Sequence, residues 1–378
     1  MNFYKCFLLM PLFLLFIAIP IEKYNIDFSR AIKFLAILII VLNAIFLKQR
    51  NIFVLLLVLT VVYLCFLTYY NNINIKQAGE DGIRYLIPIL ALIYGLQLKD
   101  VKTKAITIII VYVLLNDFYQ LISGIYTMLN EKQLVFKRAT GFVGFFDFFG
   151  FINLVALVVI NETILPRFEN FKLHLKVVFT FFILWSLSLK IVILFMVYAI
   201  IKNRKLLLIP AGLIVFLMLV KNTTITNAIL LRVDRYLVHQ DSARNESYRL
   251  MYNNINDFWL FGKGPGTFGG PASTKYESFL YKKYKFNWFG EYGMATTDTY
   301  YPHLIVELGM VFGLFYLIIV LIMPIYISPN KLLSLSVILI LSLNSVFSFA
   351  LNSMSYCFFS LLLIFLVENK HLVKDTKE

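Results

Sequence analysis

Apolar runs of membrane-spanning length follow one another along most of the chain, separated by short polar links. A helix needs about 20 apolar residues to cross a bilayer, with a usable range near 17–25. Runs of this kind lie at 6–21, 31–47, 52–70, 83–98, 105–128, 148–165, 303–323, 332–348 and 350–367. The pattern predicts an all-α polytopic membrane protein.

The apolar segment 177–201 differs from these runs because Lys190 lies at its middle. A charged side chain at mid-membrane is costly unless it faces a cavity or a partner. We therefore expect the chain to break near Lys190 into two short antiparallel spans. With 206–220 as a further span, the total is about twelve transmembrane helices.

One long polar interval, 221–302, interrupts the apolar pattern. It divides the chain into 1–220, with about nine spans, and 303–378, with three spans and a tail. A membrane protein that keeps its other links short and has one long extramembrane segment usually does its chemistry there. The interval 221–302 is therefore the expected location of the active site.

Composition and charge agree with a membrane protein and indicate its orientation. Hydrophobic residues make up 60% of the chain and charged residues 15%, against roughly 45–50% and 25% in soluble domains. The net charge of +14 comes mainly from Lys and Arg in links that fall on one side, which is typical of cytoplasmic loops and needs no nucleic-acid partner. The interval 221–302 then faces outward as one large periplasmic loop, and the C-terminal tail is cytoplasmic.

Two sequence features do not indicate a cofactor. The three cysteines lie inside apolar runs, so they predict neither a disulfide framework nor a metal cluster. The letters GPGTFG at Gly264–Gly269 match a dinucleotide-binding pattern. That pattern has meaning only between a strand and a helix, so we interpret it as a tight turn.

Arginines recur on the predicted outer side of the membrane. A guanidinium group offers forked donors that match phosphate oxygens and keeps its charge. Taken together the arginines favour a diphosphate site, although each of them can also pair with a nearby acid or with lipid headgroups. The set comprises Arg84, Arg138, Arg232, Arg235, Arg244 and Arg249.

Four other ionisable residues are candidates for function. Asp117 and Lys190 lie within apolar runs, where they either pair with each other or line a polar cavity. Asp298 lies at the end of the large loop, where it is placed to accept a proton from an acceptor hydroxyl. His303 follows it at the start of a span, either as a base or as an interfacial helix-start residue.

Four stretches resemble the superfamily of O-antigen polymerases and O-antigen ligases. They are FKRATGFVGFFDFFGFINLVAL, WSLSLKIVILFMVYAI, SYRLMYNNINDFWLFGKGPGTF and TTDTYYPHLIVELG. Lys190 occupies the place of the family's Ser-Arg hairpin tip, and the functional arginine of the third motif corresponds to Arg249. Asp298-Thr299 stands where ligases typically have His-Asn, which favours a polymerase.

The resemblance implies a glycosyltransferase that acts on undecaprenyl-diphosphate-linked oligosaccharides at the periplasmic face of the bacterial inner membrane. Arg249, Asp298 and His303 are the expected catalytic residues. Arg138, Arg84, Arg232, Arg235 and Lys190 are the expected diphosphate contacts. No cofactor or metal is implied, because arginines supply the positive charge. A chain-length regulator and a flippase are the expected protein partners.

Two alternatives remain open from the sequence. An O-antigen ligase would transfer the finished glycan to lipid A-core by the same chemistry. A lipid-linked oligosaccharide flippase or other transporter would explain many spans without catalysis. Transporters usually show repeat-related halves with sites at the midplane, and the sequence has no convincing internal repeat.

Overall fold

The computed structural model describes residues 3–46, 51–131, 138–163, 166–202, 242–289 and 296–367. Within these ranges every regular element is a helix. Five helical segments there are long and apolar enough to cross a membrane, which supports a multi-pass membrane protein. They are Tyr4–Ile21, Ile26–Phe46, Ile52–Tyr70, Ile75–Thr127 and Met310–Ile327.

The first four helices follow the predicted apolar runs closely. They are α1 (Phe3–Ile21), α2 (Ile26–Phe46), α3 (Ile52–Tyr70) and α4 (Ile75–Gln97). Asn51 begins α3 by accepting the Val54 N–H, and Asn74 begins α4 by accepting the Lys76 N–H. The Asn74 cap brings polar residues into the first two turns of α4, so this helix begins before the predicted span at 83–98.

The middle of the chain contains the predicted hairpin. A 3₁₀ turn (Leu98–Val101) leads into four further helices: α5 (Lys102–Glu131), α6 (Phe146–Glu162), α7 (Lys172–Trp185) and α8 (Leu189–Lys202). The chain breaks between α7 and α8, where Leu187 has φ 48°. The predicted break near Lys190 is therefore confirmed.

The count of twelve spans is not confirmed. Helices α7 and α8 have 14 residues each, which gives about 21 Å of helix against a hydrocarbon core of about 30 Å. Neither arm is long enough to cross a membrane alone, and the predicted span 206–220 lies outside the described residues.

The large loop packs against the helix that follows it through a small apolar core. Its described helices are α9 (Ala243–Asn253), α10 (Pro271–Lys275) and α11 (Phe279–Lys283), with a 3₁₀ turn at Ile255–Phe258. Loop residues such as Leu250, Phe258 and Phe268 are buried together with Ile305 and Val306 of the following helix. This contact fixes the loop relative to the membrane helices.

The predicted span 303–323 is interrupted at Gly309. Helix α12 (Tyr300–Leu308) ends there and α13 (Met310–Leu317) begins, because Gly309 has φ 87°, which favours glycine. A π-helical turn (Ile318–Ile322) and α14 (Met323–Ile327) complete the segment. The described chain closes with α15 (Lys331–Val346), a 3₁₀ turn (Ala350–Asn352), α16 (Met354–Ser360) and α17 (Leu363–Leu366).

Candidate active site

Lys190 lies at the α7–α8 break in a polar cluster that we call the hairpin cluster. Its ammonium is 3.3 Å from the Asp147 carboxylate, and both side chains are 20% exposed. The Ser188 hydroxyl donates a hydrogen bond to the other oxygen of Asp147. Because Asp147 lies in the first turn of α6, the cluster joins the start of α6 to the tip of the hairpin.

The segment that contains Arg138 is held beside the same hairpin tip. The Ala139 N–H donates to the Trp185 carbonyl at 3.2 Å. Side chains of α5 also fix the segment, since Gln120 accepts the N–H groups of Thr140 and Gly141. The Arg138 guanidinium lies 4.5 Å from the centre of the Phe146 ring, next to Asp147.

The large loop brings two further charged residues to the hairpin cluster. Arg244 on α9 contacts Asp298, with 3.1 Å between Nη2 and Oδ2. Asp298 has φ 52°, a left-handed conformation that Asp tolerates better than most residues, and it accepts a bond from the Thr296 hydroxyl at 3.3 Å. Arg244 and Asp298 lie within electrostatic range of the Lys190 ammonium.

The resulting cluster is partly exposed and contains charges of both signs. Its cations are Lys190 and Arg244 and its carboxylates are Asp147 and Asp298, while Arg138 lies over the ring of Phe146, the residue before Asp147. Cationic donors of this kind bind phosphate oxygens through charge-assisted hydrogen bonds. The side chain of Asp298 is 46% exposed, so a substrate hydroxyl can approach it.

Arg249 lies outside the contacts of the hairpin cluster. It pairs with Glu246 at 2.6 Å, one turn earlier on α9, and its side chain is 61% exposed. Hydrogen bonding with Glu246 raises the pKa of Arg249 further above its ordinary value. The role that the sequence assigns to Arg249 stays a prediction, and Arg244 on the same helix is the arginine next to Asp298.

His303 and Arg84 belong to a second cluster, which is buried between α4 and α12 and which we call the buried cluster. Arg84 Nε lies 3.0 Å from Asp81 Oδ1, and His303 Nε2 lies 2.9 Å from Glu307 Oε2. The Tyr85 hydroxyl donates to Glu307 at 2.9 Å. The side chains of His303 and Glu307 are 0% exposed, so His303 has no access to a substrate hydroxyl in this arrangement.

The proposed pair between Asp117 and Lys190 is not formed. Asp117 accepts a hydrogen bond from Asn153 on α6 at 3.0 Å, whereas Lys190 pairs with Asp147. Asp147 is closer because the hairpin tip lies beside the start of α6. The remaining predicted contacts, Arg232 and Arg235, lie outside the described residues.

The glycine-rich stretch forms a turn that anchors the large loop. Gly264, Gly266 and Gly269 have φ of 88°, 79° and 74°, as expected for residues that reverse the chain. The Gly264 N–H donates to the Glu307 carbonyl at 2.9 Å, and Gln77 on α4 donates to the Gly266 carbonyl at 2.7 Å. The interpretation of this motif as a tight turn is confirmed.

Comparisons with known proteins do not assign the chain to a family. No protein-family model matches the chain, and neither a curated protein nor a solved structure matches it. The fold and the two clusters therefore define a multi-pass helical membrane protein with a charged site at the base of its large loop.

Proposed function

We propose that the protein is a membrane glycosyltransferase that joins lipid-diphosphate-linked saccharide repeat units, in the manner of an O-antigen polymerase. Its main support is that the partly exposed Arg244–Asp298 pair lies within electrostatic range of Lys190 and its partner Asp147. Lys190, Arg244 and Asp298 come from the hairpin tip, from α9 and from the end of the large loop. They lie in or beside three of the stretches that resemble the superfamily.

The proposed reaction needs positioning, one proton acceptor and stabilisation of a leaving diphosphate. The terminal hydroxyl of one lipid-linked unit attacks the anomeric carbon of the other glycan and forms the new glycosidic bond. The bond between that carbon and the lipid diphosphate breaks, and the diphosphate takes the electron pair. Asp298 accepts the hydroxyl proton, while Lys190, Arg244 and Arg138 stabilise the negative charge on the diphosphate.

An apolar cavity beside the large loop is suited to the lipid chain of such a substrate. It has a volume of about 680 Å³ and lies between α3 and α4. Its lining includes Leu64, Gly79 and Ile83, and Pro265 of the glycine-rich turn borders it. Because α3 and α4 are membrane helices and Pro265 belongs to the loop, the cavity lies where these helices meet the glycine-rich turn.

Filling this cavity should weaken substrate binding. Gly79 lines the cavity and a Cβ there meets no other atom within 4 Å, so Gly79→Leu adds a bulky side chain at the cavity wall. Displacing two or three lipid methylenes costs about 2 kcal/mol, which is roughly a thirtyfold rise in KM with kcat retained. Gly79→Ala is the matched control and should keep the wild-type KM. An unchanged KM for Gly79→Leu in steady-state assays would show that the cavity does not bind the lipid chain of the substrate.

We further propose that the large loop faces the periplasm and that the turn after α4 faces the cytoplasm. In a variant without the native cysteines, Glu277→Cys in the loop and Asp100→Cys after α4 both provide exposed positions. A membrane-impermeant thiol reagent applied from outside should label the first and spare the second. Labelling of both from the same side would contradict this topology.

The proposed function has a direct genetic test in a strain whose surface polysaccharide depends on this gene. Deletion should leave lipopolysaccharide with a single repeat unit on each core, because ligation continues without polymerisation. A ligase would instead leave bare core with long glycan on its lipid carrier. A flippase would leave bare core with single units retained on the cytoplasmic side.

A further inference from the structure

The buried cluster contains three side chains that are typical metal ligands. The ligand atoms of Asp81, His303 and Glu307 all lie within 4.8 Å of one another, and all three residues are buried. A cation about 2.0–2.2 Å from each ligand brings ligand atoms within roughly 4.4 Å of each other. Small rotations of these side chains are therefore enough to enclose an ion.

Two of these side chains lack the hydrogen bonds that buried polar groups normally make. Neither carboxylate oxygen of Asp81 accepts a hydrogen bond from the described residues, although the Arg84 guanidinium and the Ala272 amide are close. His303 Nε2 also forms none, because Glu307 lies off the direction of the ring N–H despite the 2.9 Å separation. Buried polar atoms without partners need an explanation, and a ligand atom of each of these residues lies within 4.8 Å of one of Glu307.

Residues around the buried cluster orient its side chains through hydrogen bonds, as the residues around metal ligands usually do. Glu307 accepts bonds from the Tyr85 hydroxyl at 2.9 Å and from the Phe268 N–H at 2.8 Å. Asn352 lies 3.4 Å from His303 Nδ1, and its own Oδ1 is buried without a partner. If the Asn352 amide is flipped, its Oδ1 accepts a hydrogen bond from the Nδ1–H of His303. The lone pair on His303 Nε2 can then bind a metal ion.

Charge also favours an ion at this place. Two carboxylates with one guanidinium leave a net negative charge in a buried site, which is costly without a further cation. We infer that Asp81, His303 and Glu307 bind a divalent transition-metal ion that joins α4 to α12. An imidazole with two carboxylates suits Mn²⁺ or Zn²⁺ better than Mg²⁺ or Ca²⁺, which prefer oxygen ligands alone.

The ion would hold the base of the large loop in place and take no part in the transfer reaction. A Cβ at Gly270 would overlap the Asp81 carboxylate, so the loop backbone closes directly over the site. The Thr297 N–H donates to the Gly269 carbonyl at 3.2 Å, next to Asp298. Joining α4 to α12 therefore fixes the segment that presents Asp298 to the hairpin cluster.

The test uses the purified full chain in detergent, stripped with a chelator and then equilibrated with Mn²⁺ or Zn²⁺. The wild-type protein should bind one ion per chain, measured by elemental analysis, and its unfolding temperature should rise on metal addition. Bound Mn²⁺ should show magnetic coupling to an imidazole nitrogen. Absence of stoichiometric binding by the wild-type protein would overturn the inference and would mean that the cluster shares a proton instead.

Substitutions within the buried cluster test whether the ion binds there. Asp81→Asn and His303→Gln should abolish binding, and Asn352→Leu should weaken it by about 10–100-fold. Glu80→Gln is the matched control, because Glu80 is a neighbouring acid that pairs with Lys275 on the loop surface. It should bind like the wild type. Full binding by Asp81→Asn, or loss of binding by Glu80→Gln, would place the ion elsewhere and overturn the assignment.

Discussion

Arg244→Ala is expected to lower the rate of glycan polymerisation by about 10²–10³, the usual cost of removing one preorganised donor from a developing charge. Arg244 is next to Asp298 and within electrostatic range of Lys190. Under the proposed mechanism, its removal takes a charge-assisted donor from the departing diphosphate and leaves Asp298 without the guanidinium that contacts it. The rate is measured with membranes that contain equal amounts of wild-type and variant protein.

Arg249→Ala is the matched comparison, because it removes the same group from the same helix. Arg249 is mostly exposed and lies outside the contacts of the hairpin cluster, although its partner Glu246 is buried. We therefore expect this variant to keep most of its activity. If Arg249→Ala loses activity and Arg244→Ala does not, the resemblance to the superfamily locates the functional arginine better than the geometry does.

Asp298→Asn is expected to reduce the rate by about 10²–10⁴, the range for loss of a general base. Asn tolerates the left-handed backbone of this position as well as Asp does, so the fold should be retained. The substitution removes the negative charge and with it the ability to accept the hydroxyl proton. Cells with only this variant should accumulate lipopolysaccharide with single repeat units.

The control for Asp298→Asn is Asp257→Asn in the same loop. Asp257 accepts a bond from the Tyr284 hydroxyl at 2.7 Å, an exposed contact outside the hairpin cluster. Its loss should leave the distribution of glycan lengths unchanged. Wild-type glycan lengths from Asp298→Asn would show that this carboxylate does not accept the proton.

The sequence predicts local features of this protein better than its long-range contacts. The break near Lys190 follows from one charge within an apolar run, and the glycine-rich turn follows from residues that adopt positive φ. Both depend on neighbours along the chain. The break at Gly309 was missed because an isolated glycine in an apolar run is also compatible with a continuous helix.

The partners within the two clusters could not be predicted, because they depend on how distant segments pack. Asp147 pairs with Lys190 because the start of α6 lies beside the hairpin tip. Asp81 meets His303 because α4 packs near α12, more than 200 residues later in the chain. For Glu307 a local signal existed, since it lies four residues after His303 on one helical face.

The most direct measurement of the central claim is a polymerisation assay with purified protein in liposomes. The only substrate is a synthetic repeat unit on undecaprenyl diphosphate, without nucleotide sugar and without lipid A-core. A polymerase should convert it to a ladder of longer lipid-linked glycans and release one undecaprenyl diphosphate for each bond formed. If the repeat unit stays unchanged until lipid A-core is added, or only moves across the bilayer, the protein is not a polymerase.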